Sequence, residues 1–353
     1  MITAYLNRVA TALPAHDVHD AFVRHATRAV DPRQASVFTR MVDKAQIAHR
    51  YSVLAPEQHP ESTPGGGFYA GGGYPTTAER MRAYQTHAPE LAERAVNGLR
   101  LGSAPGVTHL VVTSCTGFYA PGVDMDIVER CGLDPSVERT VVGFMGCSAA
   151  MNGLKLAHHI VRSEPGARVL LVSLELCSLH LQETVALDQL LSFLLFADGC
   201  AAALVSAEPE GLAIDGFRSV LVPETRGLIT WNIGDSGFDM FLSGKVPSAI
   251  EHGLAACAAE VLDGARPEEI DLWAVHPGGR TILDAVERAL TLPRIALSRS
   301  RDVLREMGNM SSATVLFVLQ RTLAAARAGQ RGCAMAFGPG LVAETMRFHT
   351  VAQ

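Results

Sequence analysis

Three residues of this 353-residue chain have the chemistry of a nucleophile, a base and a hydrogen-bond donor. Cys147 follows a glycine in GFMGCSAAMNGLKLAHH, His276 opens the loop HPGG, and Asn309 follows a glycine in GNMSSATVLF. A thiolate can take an acyl group, an imidazole can pair with it, and an amide can donate to a developing oxyanion. Each residue also has a plain structural role, since cysteine is often buried, a strand-end histidine often binds a carbonyl, and asparagine often caps a helix.

An internal repeat relates the segments that carry these residues. HLVVTSCTG and DLWAVHPGG are apolar strands that end in a turn, and they begin at His109 and Asp271, 162 positions apart. Gly146 and Gly308, which precede two predicted helices, are also 162 apart. A third pair of strands, RVLLVSLE and RGCAMAFG, keeps this offset to within one residue. The constant spacing predicts a duplicated chain.

The duplication divides the chain into two α/β halves, residues 1–205 and 206–353. Each half reads as strand, loop, helix and strand, a pattern that favours parallel buried strands covered by helices. Two such halves, stacked around a shared pair of central helices, give five layers in the order α, β, α, β and α. Strand ends and helix starts of both halves then meet between them, where active sites gather.

Equivalent positions of the two halves carry different functional groups. Cys147 corresponds to Asn309 at the helix starts, and Ser114 corresponds to His276 at the strand ends. A helix N-terminus and a neighbouring imidazole both stabilise a thiolate, so we expect a lowered pKa for Cys147 and a thiolate–imidazolium pair with His276. His276 and Asn309 together are expected to donate hydrogen bonds to a thioester oxygen.

The composition is that of a globular enzyme. With 48% hydrophobic and 19% charged residues, the chain can bury a large core. A net charge of −6 gives no basis for binding nucleic acid. The most apolar window, 187–205, contains Asp188 and Asp198 and is too interrupted for a membrane span. The first residues lack the pattern of a secretory signal, so we expect a cytoplasmic protein.

Neither a disulfide framework nor a metal site is predicted. The seven cysteines are widely spaced and form no CxxC pair, which indicates free thiols. The glycine-rich stretch 62–81 lacks a GK[ST] sequence and a preceding strand, which favours a mobile surface loop over a phosphate cradle. Thr76 or Thr77 is expected to cap a helix that begins near Ala78 and continues towards Leu99.

Four motifs resemble those of the type III polyketide synthases, the chalcone-synthase-like branch of the thiolase superfamily. They are GFMGCSAAMNGLKLA, WAVHPGGRTILDAVE, EMGNMSSATVLFVL and AFGPGLVAETM, and the resemblance covers nearly the whole chain. It implies a thiolase fold of two duplicated halves, a homodimer, and a catalytic triad of Cys147, His276 and Asn309. It implies no metal or redox cofactor; the substrates are malonyl-CoA and an acyl-CoA.

The resemblance also assigns residues to the cavity. One gatekeeping phenylalanine of the family falls on Phe196, and a second falls on Met240, with Phe238 and Phe241 beside it. Core packing is the alternative role for these side chains. Further cavity residues implied by the resemblance are the small Cys115, Ala120 and Cys177 and the bulky Trp231. The loop that contains Ala120 is expected to reach the cavity of the partner subunit.

A basic helix near the N-terminus contacts coenzyme A in this family. VFTRMVDKAQIAHRY resembles that helix and supplies Arg40 and Lys44, four residues apart on one face. A third basic position of the plant enzymes falls on Val37 and is lost. The alternative for Arg40 and Lys44 is a solvated helix face.

The resemblance implies iterative condensation. Cys147 takes an acyl group from an acyl-CoA starter, and decarboxylation of malonyl-CoA yields an enolate that His276 and Asn309 stabilise and that attacks the bound acyl group. GLITWNIGDSGFDMFLSGKVP and ELCSLHLQ look more like bacterial synthases of alkylpyrones or alkylresorcinols. A fatty acyl-CoA starter and cyclisation to a pyrone or a resorcinol-type product are therefore expected.

Two alternative functions remain at the level of sequence. A ketoacyl-ACP synthase III shares the triad but makes one condensation with an ACP-bound extender; HPGG and GNMSSA favour the polyketide branch. A non-catalytic acyl-CoA-binding paralogue is the other alternative, and the intact Cys147, His276 and Asn309 speak against it.

Overall fold

The computed structural model of the protein describes residues 2–55, 67–69, 74–102 and 106–351. Its strands are β1 (Tyr5–Ala12), β2 (His16–Asp17), β3 (Tyr51–Ser52), β4 (His109–Ser114), β5 (Glu138–Gly143), β6 (Val169–Leu176), β7 (Asp198–Ser206), β8 (Leu212–Leu221), β9 (Ile229–Gly234), β10 (Gly237–Leu242), β11 (Leu272–Val275), β12 (Arg331–Gly338) and β13 (Val342–Thr350). Its α-helices are α1 (His19–Ala29), α2 (Ala35–Ala45), α3 (Thr77–Gly98), α4 (Val123–Arg130), α5 (Ala149–Ser163), α6 (Leu187–Phe193), α7 (Val246–Ala256), α8 (Ala258–Val261), α9 (Arg280–Ala289), α10 (Ser298–Met307) and α11 (Thr314–Ala325).

Among the described residues, nine strands are hydrogen-bonded in the order β11-β12-β13-β8-β1-β7-β6-β4-β5. The two halves of the chain meet in this sheet where β1 pairs with β8, through Tyr5 with Ala213 and Leu6 with Leu212. The predicted parallel pairing holds for β4 with β5 and β6, and for β11 with β12. It is wrong for the strands between them, which pair antiparallel. The turn between β12 and β13 is only three residues long, too short for a parallel crossover.

Side-chain alternation along the strands produces the predicted layers. In β4, Leu110 faces α3 while Val111 faces the central helices α5 and α11. In β11, Ala274 faces those central helices from the other side, and Trp273 packs with α7 and α9. Successive residues of one strand thus belong to different hydrophobic cores. The layers are helix, sheet, helix, sheet and helix, as expected for the duplicated α/β fold.

The central helices begin at different distances from their equivalent glycines. Gly146 and Gly308 both have positive φ, 60° and 72°. Helix α5 begins at Ala149, whereas α11 begins only at Thr314. A 3-10 turn, Ser311–Ala313, fills the additional positions. The repeat therefore predicts the glycines and strands correctly, while the second helix begins three residues later than the offset indicates.

Helix α3 begins where the sequence indicates. The Thr76 hydroxyl accepts a hydrogen bond from Glu79 N, and the Glu79 carboxylate accepts one from Thr76 N. This reciprocal arrangement satisfies two backbone donors at the helix start. Residues 62–66 and 70–73 of the glycine-rich stretch, where the sequence predicts a surface loop, lie outside the described residues.

The sequence also makes predictions about the cysteines, membrane spans and the boundary between the two halves. All seven cysteines, each within the described ranges, are free thiols, as predicted. No helix in the described part of the chain combines the length and apolar character of a membrane span. The division after residue 205 lies at the end of β7 and stays a prediction.

Candidate active site

The three residues singled out for chemistry line one cavity. Cys147, His276 and Asn309 lie in the wall of a cavity with about 900 Å³ of empty space, part of it open to solvent. Both halves of the chain contribute to this wall. Its aromatic and methionine side chains, apart from His180 and His276, are Phe193, Phe196, Trp231, Met240 and Phe337. The repeat thus correctly predicts that the three residues meet.

Close packing holds the turn that carries Cys147. This 3-10 turn spans Gly146–Ser148 and leads directly into α5. A Cβ atom on Gly146 would lie 2.3 Å from Pro339 Cδ, so only glycine fits there. On its other side, Cys115 Sγ accepts a hydrogen bond from Gly146 N at 3.1 Å. The Cys147 thiol is 3.9 Å from Ser311 Oγ, in the turn before α11.

The protonation states of Cys147 and His276 differ from the prediction. Burial raises the pKa of the Cys147 thiol to about 12, although hydrogen bonds with Ser311 and Asn309 act in the opposite direction. Burial also lowers the pKa of His276 to about 3. The expected lowering of the Cys147 pKa is therefore wrong for the substrate-free protein. The partly buried thiol has little contact with water, and the His276 imidazole in the same cavity wall is uncharged.

Among the described residues, the imidazole of His276 makes no hydrogen bond. The residue follows β11 directly, and its backbone N–H donates to Met335 O at 2.7 Å. The side chain is buried, and among the described residues neither ring nitrogen has a hydrogen-bond partner. The structural alternative, a ring that binds a nearby carbonyl, is thus not observed. Because buried polar groups are normally hydrogen-bonded, this ring is left for a ligand.

Asn309 is oriented so that its NH₂ group is available. The side-chain oxygen accepts hydrogen bonds from Ser311 N at 2.9 Å and Thr314 Oγ1 at 3.4 Å. A backbone N–H only donates, so the oxygen is fixed toward this turn. Asn309 Nδ2 donates one hydrogen to Gly278 O at 3.3 Å, and the same NH₂ group hydrogen-bonds to the Cys147 thiol. The residue does not cap α11, whose N-cap is Ala313.

Phe196 lies directly against the main chain of Asn309. Asn309 N donates to Leu195 O, and Ala197 N donates to Asn309 O, both at 2.8 Å. The two residues thereby form an isolated parallel bridge. The partly exposed Phe196 ring lines the cavity beside Phe193. The structure thus brings the expected gatekeeper next to the triad.

Four more of the expected cavity residues also line it. They are Cys115, Cys177, Trp231 and Met240. Trp231 and Met240 are paired across the β9–β10 hairpin, and Trp231 Nε1 donates to Cys115 O at 2.7 Å. Phe238 is buried and stacks on His180, whereas Phe241 is exposed. Alternation along β10 turns Phe241 away from the cavity, while the stacking of Phe238 on His180 leaves Met240 to line it.

Three expected site residues lie outside this cavity. Ala120 is exposed in the loop before α4. Arg40 and Lys44 are exposed on α2. Arg280, the first residue of α9, donates from Nη1 to Lys44 O at 3.1 Å. The end of α2 therefore lies next to the helix whose Ile282 contributes to the cavity wall.

Sequence reasoning missed Glu175, a carboxyl group buried beneath the site. Its oxygens accept hydrogen bonds from Cys115 N at 3.0 Å, Thr116 Oγ1 at 2.8 Å, and Ser312 Oγ. Burial raises the pKa of Glu175 to about 7, although these hydrogen bonds act in the opposite direction. The sequence signal for Glu175 was its position two residues before Cys177, an expected cavity residue, in the motif ELCSLH.

His180 in the same motif was missed as well. His180 lines the cavity, and its Nε2 lies 2.7 Å from Thr116 O while its Nδ1 accepts from Phe238 N at 3.0 Å. Burial lowers the pKa of His180 to about 3, so the ring is neutral and donates from Nε2. Gly338 and Pro339, from the motif AFGPGLVAETM, also line the cavity. Within the described residues there is no cluster of three metal-binding side chains.

The fold and site define a duplicated α/β enzyme whose cysteine, histidine and asparagine converge on one cavity. Residues 4–209 match the family model of chalcone and stilbene synthases, N-terminal domain. Residues 216–352 match the model of the C-terminal domain of the same family. The chain therefore belongs to the chalcone and stilbene synthases, the type III polyketide synthases, and is an acyltransferase.

Individual relatives agree with this assignment. The alpha-pyrone synthesis polyketide synthase-like protein Pks18 of Mycobacterium tuberculosis is 35% identical over 374 residues, covering 99% of this chain and 91% of that protein. The structure of 1,3,6,8-tetrahydroxynaphthalene synthase from Streptomyces coelicolor has a TM-score of 0.88 at 28% identity, covering 99% and 100% of the two chains. PKS-I from the brown alga Ectocarpus siliculosus gives 0.87 at 29% identity, with 99% of each chain covered. These structures confirm the predicted thiolase fold.

Replacing Gly146 with alanine tests the packing that holds the Cys147 turn. Gly132 is a matched control, because its φ of 62° nearly equals the 60° of Gly146. Among the described atoms, nothing lies within 4 Å of a Cβ added at Gly132. We expect Gly132→Ala to lower the free energy of unfolding by about 1 kcal/mol, and Gly146→Ala by roughly 1 to 3 kcal/mol more, from overpacking. Urea unfolding measures both; equal losses would contradict the account.

Replacing Glu175 with glutamine tests whether this carboxyl is protonated in the fold. An ordinary glutamate titrates near 4.5, and the buried group near 7. Between these values the folded state keeps a proton that the unfolded state releases, so the wild type loses stability as pH rises. Glutamine has no such loss. The unfolding temperature of Glu175→Gln relative to wild type should therefore increase from pH 5 to 8. A constant difference would show that Glu175 is ionised throughout.

Proposed function

We propose that the protein extends a fatty acyl-CoA starter with malonyl-CoA and releases an alkyl α-pyrone. The observation that carries the proposal is the apolar cavity whose wall contains Cys147, His276 and Asn309. An alkyl chain needs such a lining, and a thioester needs a nucleophile and oxyanion donors. The similarity to Pks18, which is named for alpha-pyrone synthesis, supports the pyrone over a resorcinol.

The first step loads the starter onto Cys147. Its sulfur attacks the thioester carbonyl of the acyl-CoA while the neutral His276 ring accepts the thiol proton. Burial disfavours each ion alone, but the thiolate and imidazolium attract one another, so the transfer creates both together. The carbon–sulfur bond to coenzyme A then breaks. Coenzyme A takes the proton from His276 and leaves as a thiol.

The second step lengthens the chain. The thioester oxygen of malonyl-CoA accepts hydrogen bonds from His276 and from Asn309 Nδ2, which turns to it from the Cys147 sulfur once that sulfur is acylated. The bond to the carboxylate breaks, carbon dioxide leaves, and the electron pair forms an enolate. The enolate carbon attacks the acyl carbonyl on Cys147, and the carbon–sulfur bond to cysteine breaks. The thiolate is regenerated, and the extended chain is carried by coenzyme A.

Ring closure follows from the same chemistry. The Cys147 thiolate first takes the extended chain back from its coenzyme A thioester, releasing coenzyme A, and a second condensation follows. An enol oxygen of the twice-extended chain then attacks its own thioester carbonyl, which forms a six-membered lactone and releases coenzyme A. Decarboxylation supplies the electron pair for each new carbon–carbon bond. We therefore propose that the reaction uses no metal or redox cofactor.

The substrate nucleotide is proposed to bind at α2. Arg40 and Lys44 are exposed there, and the contact between Arg280 and Lys44 O joins this helix to α9. Phosphate groups favour such paired cations. A pantetheine arm that starts at α2 then has a route along α9 to the cavity.

We also propose a homodimer formed through β5. In the part of the chain that the structure describes, β5 and β11 are the two edge strands of the large sheet, and β5 pairs with β4 alone. Val141 on this strand and Met145 just after it are 47% and 41% exposed. An open edge with apolar side chains favours pairing with a second copy. Such a dimer would bring the exposed Ala120 loop toward a partner.

Product analysis tests the proposed reaction. We expect malonyl-CoA with acyl-CoA starters from acetyl to palmitoyl to release carbon dioxide and to give alkyl α-pyrones with the longer starters, measured by mass spectrometry. Cys147→Ala should abolish product, and Cys257→Ala, outside the cavity, should retain it. Absence of carbon dioxide release would contradict both synthase functions. A single condensation that requires ACP would favour a ketoacyl-ACP synthase III, and a resorcinol would correct the ring closure.

Substitution of Val141 tests the dimer. We expect Val141→Lys to convert a dimer to a monomer in light scattering, because a lysine ammonium would be buried at the paired edge. Val185→Lys is the matched control, since Val185 is 66% exposed but lies on another face, before α6. A monomeric wild type, or dissociation of both variants, would contradict pairing through β5.

A further inference from the structure

Arg50 is a buried arginine behind the cavity wall. It lies five residues beyond the end of α2 and is 4% exposed. Its Nη1 atom donates hydrogen bonds to Phe196 O at 2.7 Å and Phe193 O at 2.8 Å. Both phenylalanine rings line the cavity. One guanidinium group therefore fixes the main chain at both aromatic residues on this side of the site.

Other contacts fix the guanidinium group itself. Arg50 Nε donates to His19 Nδ1 at 3.1 Å, and its guanidinium carbon lies 4.7 Å from the centre of the Phe22 ring. Burial and the Arg50 charge lower the pKa of His19 to about 4, so the neutral His19 ring can accept this hydrogen bond. The Arg50 backbone N–H donates to Asp17 Oδ1 at 3.2 Å. Contacts with the N-terminal segment therefore fix both the backbone and the side chain of Arg50.

The segment that Arg50 fixes also carries Asn309. The backbone of Asn309 is hydrogen-bonded to Leu195 O and Ala197 N, on the two sides of Phe196. Gly308 lets these parts approach, since a Cβ added there would lie 2.8 Å from Arg50 Cγ and 3.1 Å from Leu195 O. Arg50, the turn after α6 and Asn309 therefore form one closely packed unit.

We propose that Arg50 is a positioning residue for the decarboxylation and condensation steps. It holds the turn 193–197 and thereby sets the Phe196 ring and the Asn309 amide. This inference rests on the proposed function, because it gives Arg50 a task in that reaction. Oxyanion donors act only when they are held in place before the reaction, and small displacements are costly. The turn that carries Cys147 is held by other contacts, those of Gly146 with Pro339 and Cys115, so the position of the Cys147 sulfur does not depend on Arg50.

Two variants of Arg50 and one control separate positioning from general stability. Arg50→Met removes the hydrogen bonds but keeps much of the volume, and Arg50→Lys keeps a donor. Arg301→Met is the control, because the Arg301 side chain is only 14% exposed, pairs with Asp284 and Glu287, and does not line the cavity. Each variant is assayed at a temperature where circular dichroism shows it to be folded.

The proposal predicts a split between the chemical steps. In Arg50→Met, kcat for carbon dioxide release from malonyl-CoA should fall at least about tenfold, with little change in KM. Alkylation of Cys147 by iodoacetamide, followed by intact-protein mass, should stay within about twofold of wild type. Arg50→Lys should recover part of the loss, and Arg301→Met should keep the wild-type kcat. A loss no greater than that of Arg301→Met, or a parallel loss of alkylation, would overturn the proposal.

Hydrogen exchange gives a second readout that needs no turnover. The backbone amides of Ala197 and Asn309 should exchange faster in Arg50→Met than in wild type or Arg301→Met, because the turn that pairs with them is released. Unchanged exchange at both amides would overturn the role of Arg50. If the wild type releases no carbon dioxide, the proposed function fails, while these amides still decide whether Arg50 holds the turn.

Discussion

The buried carboxyl group of Glu175 joins the parts of the site that come from different elements. It accepts hydrogen bonds from Cys115 N and Thr116 Oγ1, after β4, and from Ser312 Oγ in the turn before α11. A carboxyl group in this position would be strongly destabilising without such donors. The loop after β4 in turn holds Gly146 N through Cys115 Sγ. The turn that carries Cys147 and the turn that follows Asn309 are thereby both connected, through hydrogen bonds, to the Glu175 carboxyl group.

The same loop also fixes the far wall of the cavity. Trp231 Nε1 donates to Cys115 O and His180 Nε2 to Thr116 O, so two successive carbonyls hold the aromatic side chains. His180 then accepts from Phe238 N on the β9–β10 hairpin. These polar groups of the wall are thus used within the protein, which leaves a largely apolar surface around Cys147, His276 and Asn309.

The sequence predicted the meeting of Cys147, His276 and Asn309 because duplication repeats a strand, a turn and a helix, and equivalent ends of such units converge. It did not predict the direction of the Cys147 pKa, since that depends on burial and on Glu175 and Ser311, which belong to other elements. A helix-start argument considers only local dipoles. The tertiary environment, absent from any local pattern, determines the result.

The basic residues on and just after α2 also show that a local pattern cannot predict burial. Arg40 and Lys44 follow a helical spacing that is readable in the sequence, and both are exposed. Arg50 stands a few residues further on in a similar composition, yet it is buried. Its carbonyl partners at Phe193 and Phe196 are 143 and 146 residues away along the chain. Contacts of this separation depend on the complete fold, so no local pattern distinguishes Arg50 from its exposed neighbours.

In the proposed reaction, Cys147 carries the acyl chain while His276 and Asn309 stabilise the enolate. The most direct test compares two quantities in Asn309→Ala: acyl transfer from an acyl-CoA to the Cys147 peptide, by mass spectrometry, and carbon dioxide release from malonyl-CoA. We predict that the Cys147 peptide is acylated as in wild type, while carbon dioxide release falls by about a hundredfold. An acyl group on another residue, or wild-type release of carbon dioxide, would contradict this account.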